Sequence, residues 1–180
     1  PNDLTLGGSA LLLVTGPNSG GKTRLLQAIG LAQLLAQTGF FVPAKSAELA
    51  RRHGLFVSVV EEAAADAREG RLGTELLRIR RLFEKLDFRS LVIVDELCSG
   101  TNPSEAEEIF RLVVDLLAEI EPQTVVTTHF LQFAAELEKE RPVPRLEFLQ
   151  VELDNTQTPT FGFVPGVATT SLARRTAERL

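Results

Sequence analysis

The sequence contains no methionine and a single cysteine, Cys98, in 180 residues. One cysteine excludes an internal disulfide, which fits a reducing cytoplasm. A natural chain begins with methionine, so its absence predicts that Pro1 is not the natural start and that residues 1–180 are one domain excised from a longer protein. No apolar run is long enough to cross a membrane, and no signal peptide opens the chain. Positive charge is also scarce: 19 Lys and Arg against 24 Asp and Glu leave a net charge of −5. That argues against a main nucleic-acid-binding surface, which needs a basic face, while leaving DNA binding open to other domains. The small clusters Arg51-Arg52 and Arg78, Arg80, Arg81 read as solvated faces. Repeats, low-complexity tracts and interdomain linkers are missing too, and a hydrophobic content of 44% suits one globular domain with a substantial core.

What the chain does have is Gly16-Pro17-Asn18-Ser19-Gly20-Gly21-Lys22-Thr23. This fits G-x-x-x-x-G-K-[ST], the loop that cradles phosphates in P-loop nucleotidases. The apolar run Ala10 to Val14 before it reads as a buried parallel strand. Thr23 to Gln37 after it reads as a helix, with Leu25, Leu26, Ile29, Leu31 and Leu34 at helical spacing. Glycines let the backbone wrap a phosphate chain, and the helix N-terminus presents free N–H groups to the anion. Lys22 is placed to reach the β- and γ-phosphates of ATP, and the Thr23 hydroxyl to ligate Mg²⁺.

Further along, Asp3–Leu6 is expected as a short strand or the approach to one, Ser46–Leu49 as a short strand, and Leu55–Val60 as a core strand. A charged loop follows over Glu61–Arg71, bounded by Gly70 and Gly73. Leu76 to Leu86 has helical spacing, and Ser90–Val94 is an apolar strand. Glu105–Glu119 is an amphipathic helix started by Pro103-Ser104. Thr124–Thr128 reads as a strand and Phe130–Glu140 as a helix. Leu146–Leu153 with Thr160–Val164 reads as a hairpin, and Ser171 caps a last helix over Leu172–Leu180. The alternation implies an α/β fold: a core of mostly parallel strands flanked by helices, with a C-terminal antiparallel hairpin.

Two further sites carry chemistry. Leu91 to Val94 runs into Asp95-Glu96, a Walker B pattern with two carboxylates at the carboxyl end of a strand, where α/β sheets place ligands. Asp95 is placed to hold Mg²⁺ and Glu96 to act as general base on water. His129 follows the strand Thr124–Thr128 and can donate to the γ-phosphate or position the water. His53 lacks partners at metal-ligand spacing, and Cys98 lacks a basic neighbour. Both read as structural.

Thr15 to Thr23 resembles the T-G-P-N-x-x-G-K-[ST] loop of the MutS-type DNA mismatch-repair ATPases. Asn2-Asp3 after Pro1 is similar to that family's P-N-D, and Val42-Pro43-Ala44 to its V-P-A. Asp95-Glu96-Leu97 with Gly100-Thr101 resembles D-E-[IL]-x-x-G-T, and Thr128-His129-Phe130 resembles T-H-[YF]. Pro165-Gly166 with Ser171 resembles the P-G…S near the domain end. Cys98 stands where the family usually has glycine, and Gly100 to Glu105 looks more like the G-T-D-P-x-E of the second MutS subfamily. The family's serine-threonine-phenylalanine loop has no clear counterpart, and Gly70–Glu75 occupies its region.

The resemblance implies a single MutS-type ATPase domain over 1–180, of the ABC-like P-loop class. It further implies ATP and Mg²⁺ bound at a face completed by a second copy, with hydrolysis releasing the dimer and DNA handled by other domains of the parent. Two other classes stay open. An ABC-family ATPase of another process would normally carry Leu-Ser-Gly-Gly-Gln, which is missing. A nucleotide-binding scaffold with little hydrolysis would need no trans loop.

Overall fold

The computed structural model describes residues 2–7, 10–58, 70–97, 102–141 and 143–169. The apolar run after Ala10 forms β1 (Leu11–Thr15), buried along its whole length. Such a run, apolar on both faces, belongs in the middle of a covered sheet. A 3-10 turn over Asn18–Gly20 leads into α1 (Lys22–Gln37). Then come β2 (Leu55–Ser58), α2 (Gly70–Phe83), β3 (Leu91–Val94), α3 (Pro103–Ile120), β4 (Gln123–Thr128), α4 (Leu131–Glu140), β5 (Leu146–Leu153) and β6 (Pro159–Pro165). The strands form one sheet in the order β2-β3-β4-β1-β5-β6. Neighbours pair in parallel throughout, except for the antiparallel pair β5–β6. The carboxyl ends of β1, β3 and β4 therefore share one edge of the fold.

The two-residue period of the strands sorts the core into two layers. Leu11, Leu13, Val92 and Val94 face Phe110, Val114, Phe133 and Leu137 on α3 and α4. Leu12, Val14, Leu91, Ile93 and Val125 face Leu26 on the other side, where α1 packs. Phe110 and Phe133 meet edge-on, 5.2 Å between centroids, and tie α3 to α4. Asn102 caps α3 by accepting from the Ser104 amide at 3.3 Å. Among the described residues no helix is long and apolar enough to cross a membrane.

The mostly parallel α/β core and the late hairpin agree with expectation, the segment Asp3–Leu6 is an approach, and two local expectations fail. Asp3–Leu6 is not a strand. Asn2 explains why: its Nδ2 donates to the Phe161 carbonyl at 3.0 Å and its Oδ1 accepts from the Phe163 amide at 3.1 Å. The side chain thus takes two backbone groups that a pairing strand would use. Ser46–Leu49 is exposed coil, its small apolar pair Ala47 and Leu49 left uncovered. Gly70 and Arg71, expected to end a loop, instead begin α2, and Gly73 lies inside it. Each helical glycine costs about 1 kcal/mol relative to alanine. Burial of Ile79, Leu82 and Phe83 against the core offsets this and carries the helix upstream. The rest of the charged loop, Cys98, Gly100-Thr101, and Ser171 with the last helix lie outside the described residues.

Candidate functional site

Three strand ends build the site. β1 runs into Gly16, whose φ is +133, and Gly21 before α1 has φ +88. Both lie in the left-handed region that favours glycine. A second constraint comes from β5: a Cβ on Gly16 or on Gly20 would lie 2.6 Å from Val151 Cγ2. The loop is thus glycine-rich partly because β5 packs beneath it. Pro17 and Gly20 are buried, while Asn18 and Ser19 face out.

Lys22 opens α1 and is only 2% exposed. Its Nζ turns back over the loop and donates to the carbonyls of Gly16 (2.9 Å) and Pro17 (3.2 Å). Burial pushes its pKa below the usual 10.5, while the nearby carboxylates of Glu96 and Asp95 pull it up again. Glu96 Oε1 lies 3.8 Å from Nζ.

The next residue makes the decisive connection. Thr23 Oγ1 donates to Asp95 Oδ2 at 2.6 Å, joining the start of α1 to the end of β3. Asp95 is 6% exposed, and its Oδ1 accepts from Thr127 Oγ1 at 2.5 Å. That same Thr127 oxygen accepts from the Glu96 amide at 2.8 Å. Glu96 has φ +50, and its side chain is 24% exposed. Lys22, Thr23, Asp95 and Glu96 are therefore one connected group.

His129 stands apart from that group. It follows β4, is exposed, and its ring lies 4.2 Å from that of Phe130, tilted by 41°. Among the described residues its imidazole makes no hydrogen bond. His53 lies at the opposite end of the sheet, with Nδ1 2.9 Å from Asp87 Oδ2. The six residues Gly70–Glu75 are helical, as the first turns of α2.

Several neighbours of the site escaped sequence reasoning. Thr127 is fully buried in β4. A buried hydroxyl demands a partner, and that signal was available. Thr15 Oγ1 donates to the Leu149 carbonyl at 3.3 Å and accepts from the Ala168 amide at 2.9 Å, pinning the segment after β6 behind the loop. Phe161 is 63% exposed, at φ +61, in the strand held by Asn2. A Cβ on Gly21 would lie 3.2 Å from its ring. Nothing in the local sequence brings residue 161 to residue 21.

The adjoining oxygens of Thr23 and Asp95 are hard donors. They suit Mg²⁺, which takes one or two protein oxygens and completes its shell with water and phosphate. Among the described residues no group of three or more His, Cys, Asp or Glu could form an all-protein metal cage.

The family model of MutS domain V matches residues 12–178, a span that includes every connected residue above. The endonuclease MutS2 of Thermomicrobium roseum is 34% identical over the whole chain. That of Thermus thermophilus is 34% identical over 94% of the chain, and that of Geobacillus kaustophilus 33% over the whole chain. The chain spans 23% of the length of each of these relatives. It belongs to the MutS family, as a domain V of the kind found in MutS2 proteins.

Proposed function

We propose that this domain binds ATP with Mg²⁺, hydrolyses it, and acts as a nucleotide-dependent dimer switch for DNA-handling parts of a longer MutS-like repair protein. The observation that carries the reading is the 2.6 Å bond between Thr23 and Asp95. It joins a glycine loop, at a helix N-terminus, to the acidic end of β3, two strands from β1 in the same sheet. Such a helix start favours an anion through its free N–H groups and its dipole. The loop amides from Gly16 to Thr23 would wrap the phosphates, with Pro17, Asn18, Ser19 and Gly20 forming the turn. Lys22 would redirect its ammonium from the Gly16 and Pro17 carbonyls to the β- and γ-phosphates.

Thr23 and Asp95 would hold Mg²⁺, which when bound supplies positive charge against the charge growing on the transferred phosphoryl group. Glu96 would accept a proton as a water oxygen bonds to the γ-phosphorus. The bond from that phosphorus to the bridging oxygen then breaks, leaving ADP and inorganic phosphate. His129, exposed at the end of β4, would donate to a γ-phosphate oxygen or orient the water. Phe161 offers an open ring beside Gly21 on which the adenine can stack. Residues 1–180 would work as one ABC-like unit in the cytoplasm, closing on a second copy across the nucleotide face.

The test uses two substitutions, read by fluorescent-ATP binding and by light scattering. Lys22→Ala should weaken ATP binding by about 100-fold, the size expected for loss of charged hydrogen bonds. Glu96→Gln should bind ATP as the parent does, stop turnover, and accumulate as a dimer with ATP and Mg²⁺. Turnover by Glu96→Gln at the unsubstituted rate would remove the base assignment. Failure of the unsubstituted protein to bind ATP would sink the reading. ATP binding with no change in mass would favour a monomeric scaffold instead.

A further inference from the structure

One atom holds both acids of the site. Thr127 Oγ1 is 2.5 Å from Asp95 Oδ1 and 2.8 Å from the Glu96 backbone nitrogen, and the residue is wholly buried. The chemistry fixes the direction of both bonds. An amide can only donate, so the hydroxyl oxygen accepts there. Its single hydrogen then goes to the Asp95 carboxylate.

Each bond has a separate consequence. Asp95 is gripped from two sides, with Oδ1 bonded from β4 by Thr127 and Oδ2 bonded from α1 by Thr23. The Thr127 bond therefore fixes the plane of the carboxylate and leaves its other oxygen to Thr23. The bond to Glu96 acts on the backbone. Pairing between β3 and β4 ends at Val94 with Val126, while β4 continues to Thr128. Thr127 uses its side chain where the backbone ladder has stopped. The residue it catches has φ +50, a region that costs any residue with a Cβ. The turn held this way returns the Glu96 carboxylate to within 3.8 Å of Lys22 Nζ.

We propose that Thr127 is a positioning residue for ATP hydrolysis, orienting Asp95 for Mg²⁺ and Glu96 for the attacking water through the two faces of one hydroxyl. The proposal rests on the nucleotide reading above and assigns a role to a residue that neither motif includes. Valine matches threonine in shape but has no hydroxyl. It would leave the Glu96 amide and Asp95 Oδ1 without this partner while filling the same space.

The experiment compares Thr127→Val and Thr127→Ser with the unsubstituted natural full-length protein. Fluorescent ATP is titrated in EDTA and then against Mg²⁺, and turnover is measured separately. Thr127→Val should bind ATP in EDTA as the unsubstituted protein does. It should need about tenfold more Mg²⁺ for half of the metal-dependent gain in affinity, and lose about 10- to 100-fold in kcat with less change in KM, the range seen when a partner of a metal ligand is removed. Thr127→Ser should recover most of both losses. A Thr127→Val protein with unchanged Mg²⁺ requirement and kcat overturns the proposal, as does a serine variant as impaired as the valine one. If the valine variant does not fold, Thr127→Ala is read in the same way. ATP binding by the unsubstituted protein separates these failures from failure of the nucleotide reading, which would remove the proposal with it.

Discussion

Two aspartates bracket β3 and are held by similar chemistry at opposite ends of the sheet. Asp87, before the strand, accepts from Ser90 Oγ at 2.8 Å and from the Arg89 amide at 3.0 Å, and lies 2.9 Å from His53 Nδ1. Asp95, after the strand, accepts from Thr127 at 2.5 Å and Thr23 at 2.6 Å. Asp87 is 41% exposed and Asp95 6%. Two of the three Asp87 partners are its near neighbours in sequence, and water can replace any of them. The Asp95 partners lie 32 and 72 residues away, so these bonds exist only once the sheet has formed. Burial of Asp95 strengthens each bond and makes loss of a partner costly. The difference teaches that burial and distance in sequence, more than the type of partner, separate a candidate reaction centre from a surface clasp.

The largest expected effect comes from removing the buried member. Asp95→Ala should lower Mg²⁺-dependent nucleotide affinity by about 100-fold and destabilise the fold by about 1–3 kcal/mol, because two hydroxyls lose their acceptor. Denaturant unfolding and nucleotide titration read the two effects. Asp87→Ala should lose less stability and leave nucleotide affinity unchanged. The contrast breaks if Asp87→Ala impairs Mg²⁺-dependent binding as much as Asp95→Ala does.

The glycine loop offers a smaller, separable effect. Gly20 does not have a positive φ, so alanine can adopt its backbone, yet the new Cβ would sit 2.6 Å from Val151 Cγ2. Overpacking of this kind costs about 1–3 kcal/mol. Gly20→Ala should lower both the melting temperature and ATP affinity, and adding Val151→Ala should restore much of each. If the second substitution restores neither, contact with β5 is not what demands glycine there.

Legibility in the sequence followed the same division between local and distant. The loop from Gly16 to Thr23 and the pair Asp95-Glu96 are contiguous, each next to an apolar strand, so spacing alone placed them at one edge. The parallel core was legible because Leu11–Thr15 and Leu91–Val94 are too uniformly apolar to face water. Thr127 was hidden inside a strand that pattern reasoning treated as core. Val151 and Phe161 were invisible because their contacts with the loop cross more than a hundred residues and depend on how the hairpin folds back. Asp3–Leu6 is an approach and not a strand, beside an Asn2 side chain that already takes backbone groups of β6. Gly70 and Gly73 misled in the opposite sense, because local turn chemistry lost to burial of the α2 apolar face.

The smallest effect tests the exposed aspartate through pH. Hydrogen bonds from His53 and then Ser90, with help from the Arg89 amide, hold the Asp87 carboxyl below its ordinary value of 3.8. A carboxylate with a depressed folded pKa contributes stability that is complete above the unfolded value. That stability is lost as pH falls through the folded value. Asp87→Asn should therefore be less stable than the parent at about pH 6, and the gap should be narrower at about pH 3, below the ordinary carboxylate value. Denaturation midpoints at the two pH values measure it. Because the pair faces solvent, the gap should be small and should shrink with salt. Nucleotide affinity at neutral pH should not move. A gap that persists unchanged in acid would mean that the shape of residue 87, and not its charge, is what the clasp uses. The two aspartates would then differ in chemistry as well as in burial.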